Sequence, residues 1–303
     1  MAVARSNFTA LDHFWKNWRM VFPRCHYAGC ASGQAGWRRL LRRHMGVRLR
    51  DAWYCTPQCF EMAARQIFTR MANAIDRQNS VTHRIPLALL MLSRGQLTQE
   101  QLLSALRAQR SAGRYKIGYW LEELGFATEQ QVTSALALQW GCPVFALSAE
   151  AEPSCARMLP VCMMEFFQMM PVHYVKGMRV LYVGFCEKIE YTVLYAIEQM
   201  LDCRTQPCLV GRRALKSVLE RIRLKPHPSE LVFERLADAA EMARITRSYV
   251  LKLGAEAVRA VACGVYVWLR LEAGQNSMSL LFRALATEGT QSSEIREESP
   301  IRG

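Results

Sequence analysis

The stretch RIPLALLMLSRGQLTQEQLLSALRAQ (residues 84–109) is followed 30 positions later by RYKIGYWLEELGFATEQQVTSALALQ (residues 114–139). Eight of the 26 aligned positions are identical, so we interpret the two stretches as copies of one repeat. The identical pairs are Arg84/Arg114, Gly95/Gly125, Thr98/Thr128, Gln101/Gln131, Ser104/Ser134, Ala105/Ala135, Leu106/Leu136 and Gln109/Gln139. This repeat decides the fold of the central part of the chain.

Each copy of the repeat predicts two helices joined by a tight turn. The mostly apolar residues 87–94 and 117–124 end at Gly95 and Gly125, which suit the left-handed C-cap of a helix. The second helices begin at matching capping boxes, Thr98-Gln99-Glu100-Gln101 and Thr128-Glu129-Gln130-Gln131. Apolar residues then recur at helical spacing along one face of each second helix. One copy cannot bury this face alone, so we predict a compact unit of four helices.

The repeat resembles the N-terminal domain of the type II secretion and type IV pilus assembly ATPases, namely secretion protein E and the MSHA-type pilus ATPase. Those domains carry tandem helical pairs with an R-L-G start, a later Gly and Thr, and a final Leu-x-x-Gln. The second copy matches through Lys116-Ile117-Gly118, Gly125, Thr128, Leu136 and Gln139, and the first through Pro86-Leu87-Ala88, Gly95, Thr98, Leu106 and Gln109. The similarity covers about residues 85–222 and implies that a small βαββα module follows the helices.

The resemblance also implies a candidate ligand site, because some members of that family bind cyclic di-GMP with this tandem unit. In those members the arginine of each motif and nearby backbone amides hold the guanine and phosphate groups. The candidate contacts here are Arg84, Arg114, Lys116 and Gly118. The sequence departs from the motif, since Pro86 and Lys116 replace the arginine and Ala88 replaces a glycine. Lysine keeps the charge but loses the planar fork of arginine. A unit that is purely structural or binds protein is therefore the alternative.

The motor motif of those ATPases is absent from these 303 residues. Their phosphate-binding loop reads G-x-x-x-x-G-K-[ST], because backbone amides and a lysine must surround the phosphates and a hydroxyl must hold magnesium. No such string occurs, and no glycine is followed directly by a lysine. ATP hydrolysis by such a loop is excluded, and no pairing of histidines, cysteines or carboxylates indicates another reaction. We therefore expect a protein that is not an enzyme.

Four of the eleven cysteines form two close pairs near the start of the chain. Cys25 and Cys30 are spaced C-x4-C, and Cys55 and Cys59 follow as C-x3-C. Two such pairs can supply the four soft ligands that a tetrahedral zinc ion prefers. The sequence therefore predicts a zinc-finger-like module, and buried structural cysteines are the alternative.

The residues around the second pair support the zinc interpretation. Thr56 is a good helix N-cap and Pro57 fits the first helical position, so Cys59 falls in the first turn of a helix. The positive end of the helix dipole favours the thiolate form that a metal needs. Either His26 or His44 could replace one thiolate as a ligand.

The net charge of +13 is concentrated near the amino end. Residues 1–80 hold thirteen arginines and lysines against four acidic residues, a net charge of +9. Such a surface attracts nucleic acid, acidic protein faces or an anionic membrane leaflet. A solvated basic helix around residues 38–50 is the alternative.

The remaining segments predict smaller elements. These are a helix at residues 212–223, a proline-punctuated linker at 225–229, a helix at 231–253, strands at 257–262 and 265–271, a strand or short helix at 277–285, and a disordered tail at 287–303. Val267, Trp268 and Leu269 are candidate core residues. An αββ unit at the carboxyl end follows from this pattern.

The sequence as a whole predicts an α+β protein. Its parts are a basic zinc-finger-like module (1–80), a secretion-ATPase N-terminal-like domain (84–222), a small α+β domain (230–286) and the tail (287–303). The apolar stretch 161–175 is interrupted and too short to span a membrane, and the first 24 residues lack a secretory signal pattern, so we expect a cytoplasmic protein without a transmembrane segment.

The function expected from these parts is that of a regulator or adaptor that docks on a protein partner in a secretion or pilus-type assembly, under the control of cyclic di-GMP. The alternative is a zinc-stabilised nucleic-acid-binding protein that uses the basic amino-terminal module.

Overall fold

The computed structural model describes residues 24–30, 46–75, 84–113, 115–150, 152–225 and 229–284. Within these ranges the chain forms nine α-helices and nine β-strands, and the strands belong to two sheets. Several predicted features lie outside the described residues: His44, the arginines between 38 and 43, Arg114, linker residues 226–228 and the tail 287–303.

The repeat folds as two helical hairpins. The first copy contains helices α2 (Leu87–Ser93) and α3 (Gln99–Ala112), and the second contains α4 (Ile117–Glu123) and α5 (Glu129–Trp140). Thr98 and Thr128 both form complete capping boxes. Gly95 and Gly125 have φ values of +67° and +71°, the left-handed conformation that a C-cap requires. The four helices share one apolar core, so the predicted helical unit is confirmed.

The next residues form a small α/β module around a three-stranded sheet. Its elements are α6 (Val161–Phe167), β3 (Met169–Val175), β4 (Val180–Phe185), α7 (Tyr191–Leu201), β5 (Arg204–Leu209) and α8 (Arg212–Arg223). β4 pairs antiparallel with β3 and parallel with β5, and Val144 adds a parallel bridge to Leu209. The implied βαββα order is therefore present, from the Val144 bridge to α7, and β5 and α8 extend it.

The second sheet joins residues from both ends of the described chain. Its strands are β1 (Val47–Leu49), β2 (Ala52–Tyr54), β6 (Glu230–Ala237), β7 (Ala257–Cys263), β8 (Tyr266–Ala273) and β9 (Asn276–Ala284), in the order β2-β1-β7-β8-β9-β6. Helices α1 (Pro57–Ile75) and α9 (Ala239–Leu253) cover one face and are linked by an ion pair of 2.6 Å between Glu61 and Arg247. Residues 47–75 and 230–284, which the sequence assigns to two modules, thus share one sheet and one core.

The prediction of a helix over residues 231–253 is wrong for the first third of this range. Residues 230–237 form strand β6, which pairs in parallel with the edge of β9. The period is two rather than 3.6, since Leu231 and Phe233 pack toward the helix-covered core and Val232 toward the opposite face. Helix α9 begins only after Asp238, whose carboxylate accepts a hydrogen bond of 2.7 Å from the N–H of Glu241. The carboxyl-terminal unit is therefore βαβββ and not αββ.

The central strand β8 of the six-stranded sheet is buried on both faces. Along β8, Val267 and Leu269 face α1 and α9, whereas Tyr266 and Trp268 face the α/β module. Val267, Trp268 and Leu269 are all fully buried, which confirms them as core residues. A strand that is covered on both sides reads as a continuous apolar run, and this explains the sequence YVWLRL.

The α/β module is fastened to this sheet at two points. Glu230 of β6 accepts hydrogen bonds from the backbone N–H groups of Val161 (3.0 Å) and Cys162 (3.5 Å), which open α6. Phe167, at the end of α6, lies against the turn between β7 and β8 at Gly264. The stretch 161–175 is thus split between a short helix and a strand. No helix among the described residues has the length and apolarity that a bilayer span requires.

Two glycines test how much the Phe167 contact stabilises the protein. Gly264 and Gly274 occupy consecutive hairpin turns and have similar φ values of +58° and +57°. A Cβ at Gly264 would lie 2.4 Å from Cζ of Phe167, whereas a Cβ at Gly274 would have no neighbouring atom within 4 Å. We expect Gly274→Ala to lower the free energy of unfolding by about 1 kcal/mol through backbone strain alone. Gly264→Ala should lower it by about 2–4 kcal/mol, because the ring must also move. Urea denaturation measures both, and equal losses would contradict a packed interface.

Candidate functional site

A cleft of about 670 Å³ lies between the two helical hairpins and the α/β module. This volume is typical of sites for small molecules. Its apolar wall includes Leu87, Leu106, Ile117, Leu136 and Trp140, and its polar residues are Arg84, Gln109, Lys116, Gln139, Glu187, Lys188 and Arg212. The lining thus holds four cationic side chains and one carboxylate, so the cleft is electropositive.

Two reciprocal hydrogen bonds join the repeat copies at this cleft. The side-chain amide of Gln109 in the first copy donates to the carbonyl of Tyr115 in the second, at 3.1 Å. The amide of Gln139 in the second copy donates to the carbonyl of Ile85 in the first, at 2.5 Å. Ile85 and Tyr115 are equivalent positions, 30 residues apart. The last glutamine of each copy therefore holds the start of the other copy's first helix, which gives the Leu-x-x-Gln pattern its structural role.

Arg84 forms part of the cleft wall. Its guanidinium carbon lies 3.4 Å from the centre of the Trp140 ring, in a cation–π contact. One of its nitrogens also donates to the carbonyl of Gln139, at 3.4 Å. These contacts orient the guanidinium at the junction of the two copies.

Glu187 connects two cations on the opposite wall. Its carboxylate lies 2.9 Å from Nζ of Lys116 and 2.9 Å from a terminal nitrogen of Arg212. The Nε atom of Arg212 is buried and has no hydrogen-bond partner among the described residues. A buried donor without a partner is costly, and an anionic group in the cleft would satisfy it.

The structure places three of the four predicted ligand contacts at this cleft. Arg84, Lys116 and Gly118 all line it, and Arg114 lies outside the described residues. Gly118 is buried, and a Cβ there would lie 3.0 Å from Cγ1 of Val132 and 3.3 Å from Cδ2 of Leu87. Its lack of a side chain therefore permits the close approach of helices, whatever else it contacts.

Trp140, Glu187 and Arg212 also line the cleft, although the sequence did not predict them as site residues. Trp140 directly follows the final glutamine of the second copy, so its position beside the motif was a usable signal. Glu187 and Arg212 are about 50 to 70 residues beyond the repeat, and only the folding of the α/β module against the hairpins brings them to the cleft.

A second cluster contains the four cysteines of the predicted metal site. The sulfur atoms of Cys25, Cys30, Cys55 and Cys59 all lie within 4.8 Å of one another, and those of Cys30 and Cys55 are 3.4 Å apart. Tetrahedral zinc with bonds of about 2.3 Å separates its sulfur ligands by about 3.8 Å. The four residues therefore could hold a metal ion with small adjustments.

Local hydrogen bonds bring the two cysteine pairs together. The N–H of His26 donates to the carbonyl of Trp53 at 3.0 Å, and Nδ1 of His26 accepts from the N–H of Trp53 at 3.4 Å. His26 thus attaches the first pair to β2 and is not a member of the sulfur cluster. On the other side, the hydroxyl of Thr56 accepts a hydrogen bond of 3.1 Å from the N–H of Cys59, as expected of an N-cap.

The electrostatics of the cluster favour a bound cation. Burial raises the pKa of the Cys55 thiol, and the hydrogen bond with Cys30 and the proximity of Cys25 raise it further. Burial likewise raises the pKa of Cys59. Four neighbouring sulfurs cannot all be thiolates without a positive charge between them, which a metal ion supplies.

Comparison with known proteins gave matches only among solved structures. No protein-family model and no curated protein matches the chain. The chain is similar to MshE with cdg, with 24% identity and a TM-score of 0.38 over 46% of this chain and 99% of that chain. It is also similar to the N-terminal domain of XpsE in two crystal forms. The first form has 18% identity and a TM-score of 0.34 over 45% of this chain and 92% of that chain. The second has 20% identity and a TM-score of 0.28 over 43% of this chain and 90% of that chain. These structures are of the kind that the repeat motifs resemble.

The reciprocal glutamines provide a test of how the copies are joined. Gln139→Ala leaves the carbonyl of Ile85 without its donor, so we expect the free energy of unfolding to fall by about 1–2 kcal/mol. Gln130 lies on the same helix, is exposed and makes no side-chain hydrogen bond within the described residues, so Gln130→Ala should change it by less than about 0.5 kcal/mol. Equal values for both variants in urea denaturation would show that the exchange does not stabilise the unit.

Proposed function

We propose that this chain is a non-enzymatic regulatory adaptor that binds cyclic di-GMP in the cleft between its tandem hairpins and docks on a secretion or pilus-type machine. The observation that carries the proposal is the convergence of Arg84, Lys116 and Arg212 on one cleft at the junction of the two repeat copies. The docking partner is inferred from the repeat motifs alone.

The cleft suits a ligand that combines negative charge with flat rings. A cyclic dinucleotide carries two phosphates and two bases. Lys188 pairs with Glu190 at 2.6 Å, and Lys116 and Arg212 share Glu187, so four cations against two carboxylates leave a surplus of positive charge for the phosphates. The leucine and isoleucine side chains and the indole of Trp140 offer apolar and aromatic surface for the bases. Both guanidinium groups, of Arg84 and Arg212, can form paired hydrogen bonds with phosphate or with a guanine edge.

Glu187 acts in this proposal as an internal counter-ion. Its carboxylate occupies the position between Lys116 and Arg212 that a phosphate group would take. An arriving phosphate must therefore displace Glu187 or share the two cations with it. This competition sets the affinity of the cleft and couples ligand binding to the loop that follows β4.

We further propose that the four-cysteine cluster holds a structural zinc ion. Sulfur ligands and a closed set of four favour zinc, and they leave no position for a reacting water. The ion would tie residues 25–30 to the start of α1, whose apolar face packs on the six-stranded sheet. The alternative function, a nucleic-acid-binding protein, has no specific support among the described residues, because the arginines between 38 and 43 lie outside them.

Isothermal titration of the full chain with cyclic di-GMP tests the ligand. We expect saturable binding that weakens at least tenfold, or about 1.4 kcal/mol, in Arg84→Ala and in Arg212→Ala. Arg213→Ala removes the same charge from the neighbouring, exposed position and should leave the affinity unchanged. Glu187→Gln removes the competing charge and should tighten binding severalfold.

Two outcomes would contradict the ligand assignment. One is the absence of saturable binding to the wild-type chain, and the other is an equal loss of affinity in Arg212→Ala and Arg213→Ala. The adaptor role is tested separately, by measuring whether purified secretion or pilus assembly proteins of the same organism bind the chain and whether cyclic di-GMP changes their affinity. No binding to any of them, with or without the ligand, would remove the docking half of the proposal.

Metal analysis of the purified chain tests the zinc site. We expect one zinc ion per chain, and its loss in Cys55→Ser. Cys142→Ser also removes one half-buried cysteine but lies outside the cluster, so it should retain the zinc. Removal of zinc with a chelator should lower the thermal stability, because the ion joins two segments of the fold. A chain that is purified without metal and is equally stable after zinc is added would contradict this assignment.

A further inference from the structure

A second cavity of about 580 Å³ lies where three parts of the chain meet. Helix α1 of the cysteine module, helix α7 of the α/β module and strand β7 of the six-stranded sheet form its walls, together with the turn between β1 and β2. It shares no residue with the cleft between the hairpins. None of the described residues that line it is acidic.

Two arginines in this cavity have unused donors. Arg50 and Arg70 both line it, and neither side chain forms an ion pair or a hydrogen bond with the described part of the chain. Arg212 of the first cleft, by contrast, forms an ion pair with Glu187. Two cations that are unpaired within the described residues, in a lining that contains no acidic side chain, make the second cavity complementary to an anion.

Arg50 occupies a backbone position that disfavours arginine. It is the first residue of the two-residue turn that links β1 to β2, and its φ is +55°. Such positions favour glycine, asparagine or aspartate, because a larger side chain is strained in the left-handed region. The strained position nevertheless directs a guanidinium to the cavity.

Aromatic and apolar surface faces the arginines. Tyr191 and Tyr195 lie one helical turn apart on α7, and their side chains remain 54% and 62% exposed. Ile67 and Met71 are likewise one turn apart on α1 and form an apolar patch in the same cavity. Flat aromatic rings beside arginine are the combination that binds a base together with its phosphate.

We propose that this cavity is a second ligand site and that it takes a nucleoside phosphate. The phosphate lies between Arg50 and Arg70, and the base packs against the tyrosines of α7. The cavity is bounded by four separate elements and holds about 580 Å³, a volume that suits one small molecule. A peptide or a nucleic acid strand needs an extended groove or track instead. The proposal does not depend on cyclic di-GMP binding, since the two sites share no residue.

Titration calorimetry of the full chain with GMP and AMP tests the proposal. Guanosine and inorganic phosphate serve as part-ligands. We expect both nucleotides to bind and each part-ligand to bind at least tenfold more weakly, because the site contacts base and phosphate together. Arg50→Asn and Arg70→Ala should each weaken nucleotide binding at least tenfold, and Tyr195→Ala should weaken it severalfold. Arg65→Ala, which removes the same charge from an exposed position of α1 outside the cavity, should leave binding unchanged.

Arg50→Asn also separates a binding role from a structural one. Asparagine tolerates the left-handed conformation, so the melting temperature of this variant should equal or exceed that of the wild type while the affinity falls. Arg212→Ala should not affect GMP binding, which distinguishes this site from the first cleft.

The proposal would be overturned if neither nucleotide bound saturably at about 1 mM, the limit of a weak site. It would also be overturned if the Arg50→Asn Arg70→Ala double variant bound with wild-type affinity, or if phosphate alone bound as tightly as GMP. Binding of an acidic peptide or an oligonucleotide in place of the mononucleotides would overturn it as well.

Discussion

Two hydrogen bonds from side-chain amides to main-chain carbonyls join the repeat copies of the central unit, whose four helices share one apolar core. Gln109 and Gln139 each reach across to the other repeat copy, at the residue that precedes its first helix. Because neither copy can bury its apolar face alone, the pair must assemble, and the two glutamines contribute to the placement of the helix starts. That placement brings Arg84 and Lys116 to opposite sides of one cleft. The proposed function depends on this exchange.

The α/β module supplies the rest of the cleft. Glu187 follows strand β4, and Arg212 is the first residue of helix α8. Glu187 pairs with Arg212 and with Lys116, and the second of these ion pairs connects the module to the repeat. The module is itself fixed by the six-stranded sheet, whose strand β8 packs on it with Trp268 and on α1 with Val267 and Leu269. The cleft, the sheet and the cysteine cluster therefore belong to one continuous arrangement of packed elements, although the sequence presents them as separate modules.

The sequence predicted the local features well and the long-range ones poorly. Thr98 and Thr128 cap the helices that they precede, and the glycines after the short helices adopt the left-handed conformation that ends a helix. Helix limits in the repeat were therefore predictable from these residues. The four cysteines also lie together, because two close pairs leave few arrangements. Strand β6 was wrongly predicted as helix, because its alternation covers only a few residues and its pairing with β9, which fixes it as a strand, is not visible in the sequence. The joining of residues 47–75 to residues 230–284 in one sheet could not be predicted, since a parallel pairing between distant strands leaves no mark in either segment.

The most direct measurement is amide hydrogen–deuterium exchange of the full chain, followed by mass spectrometry with and without cyclic di-GMP. The account predicts that the ligand slows exchange in peptides covering residues 84–92 and 115–122, the two helix starts that face the cleft, and leaves residues 257–284 of the sheet unchanged. Unchanged exchange in both helix starts at saturating ligand, or protection confined to the sheet, would contradict the claim that the junction of the repeat copies is the binding site.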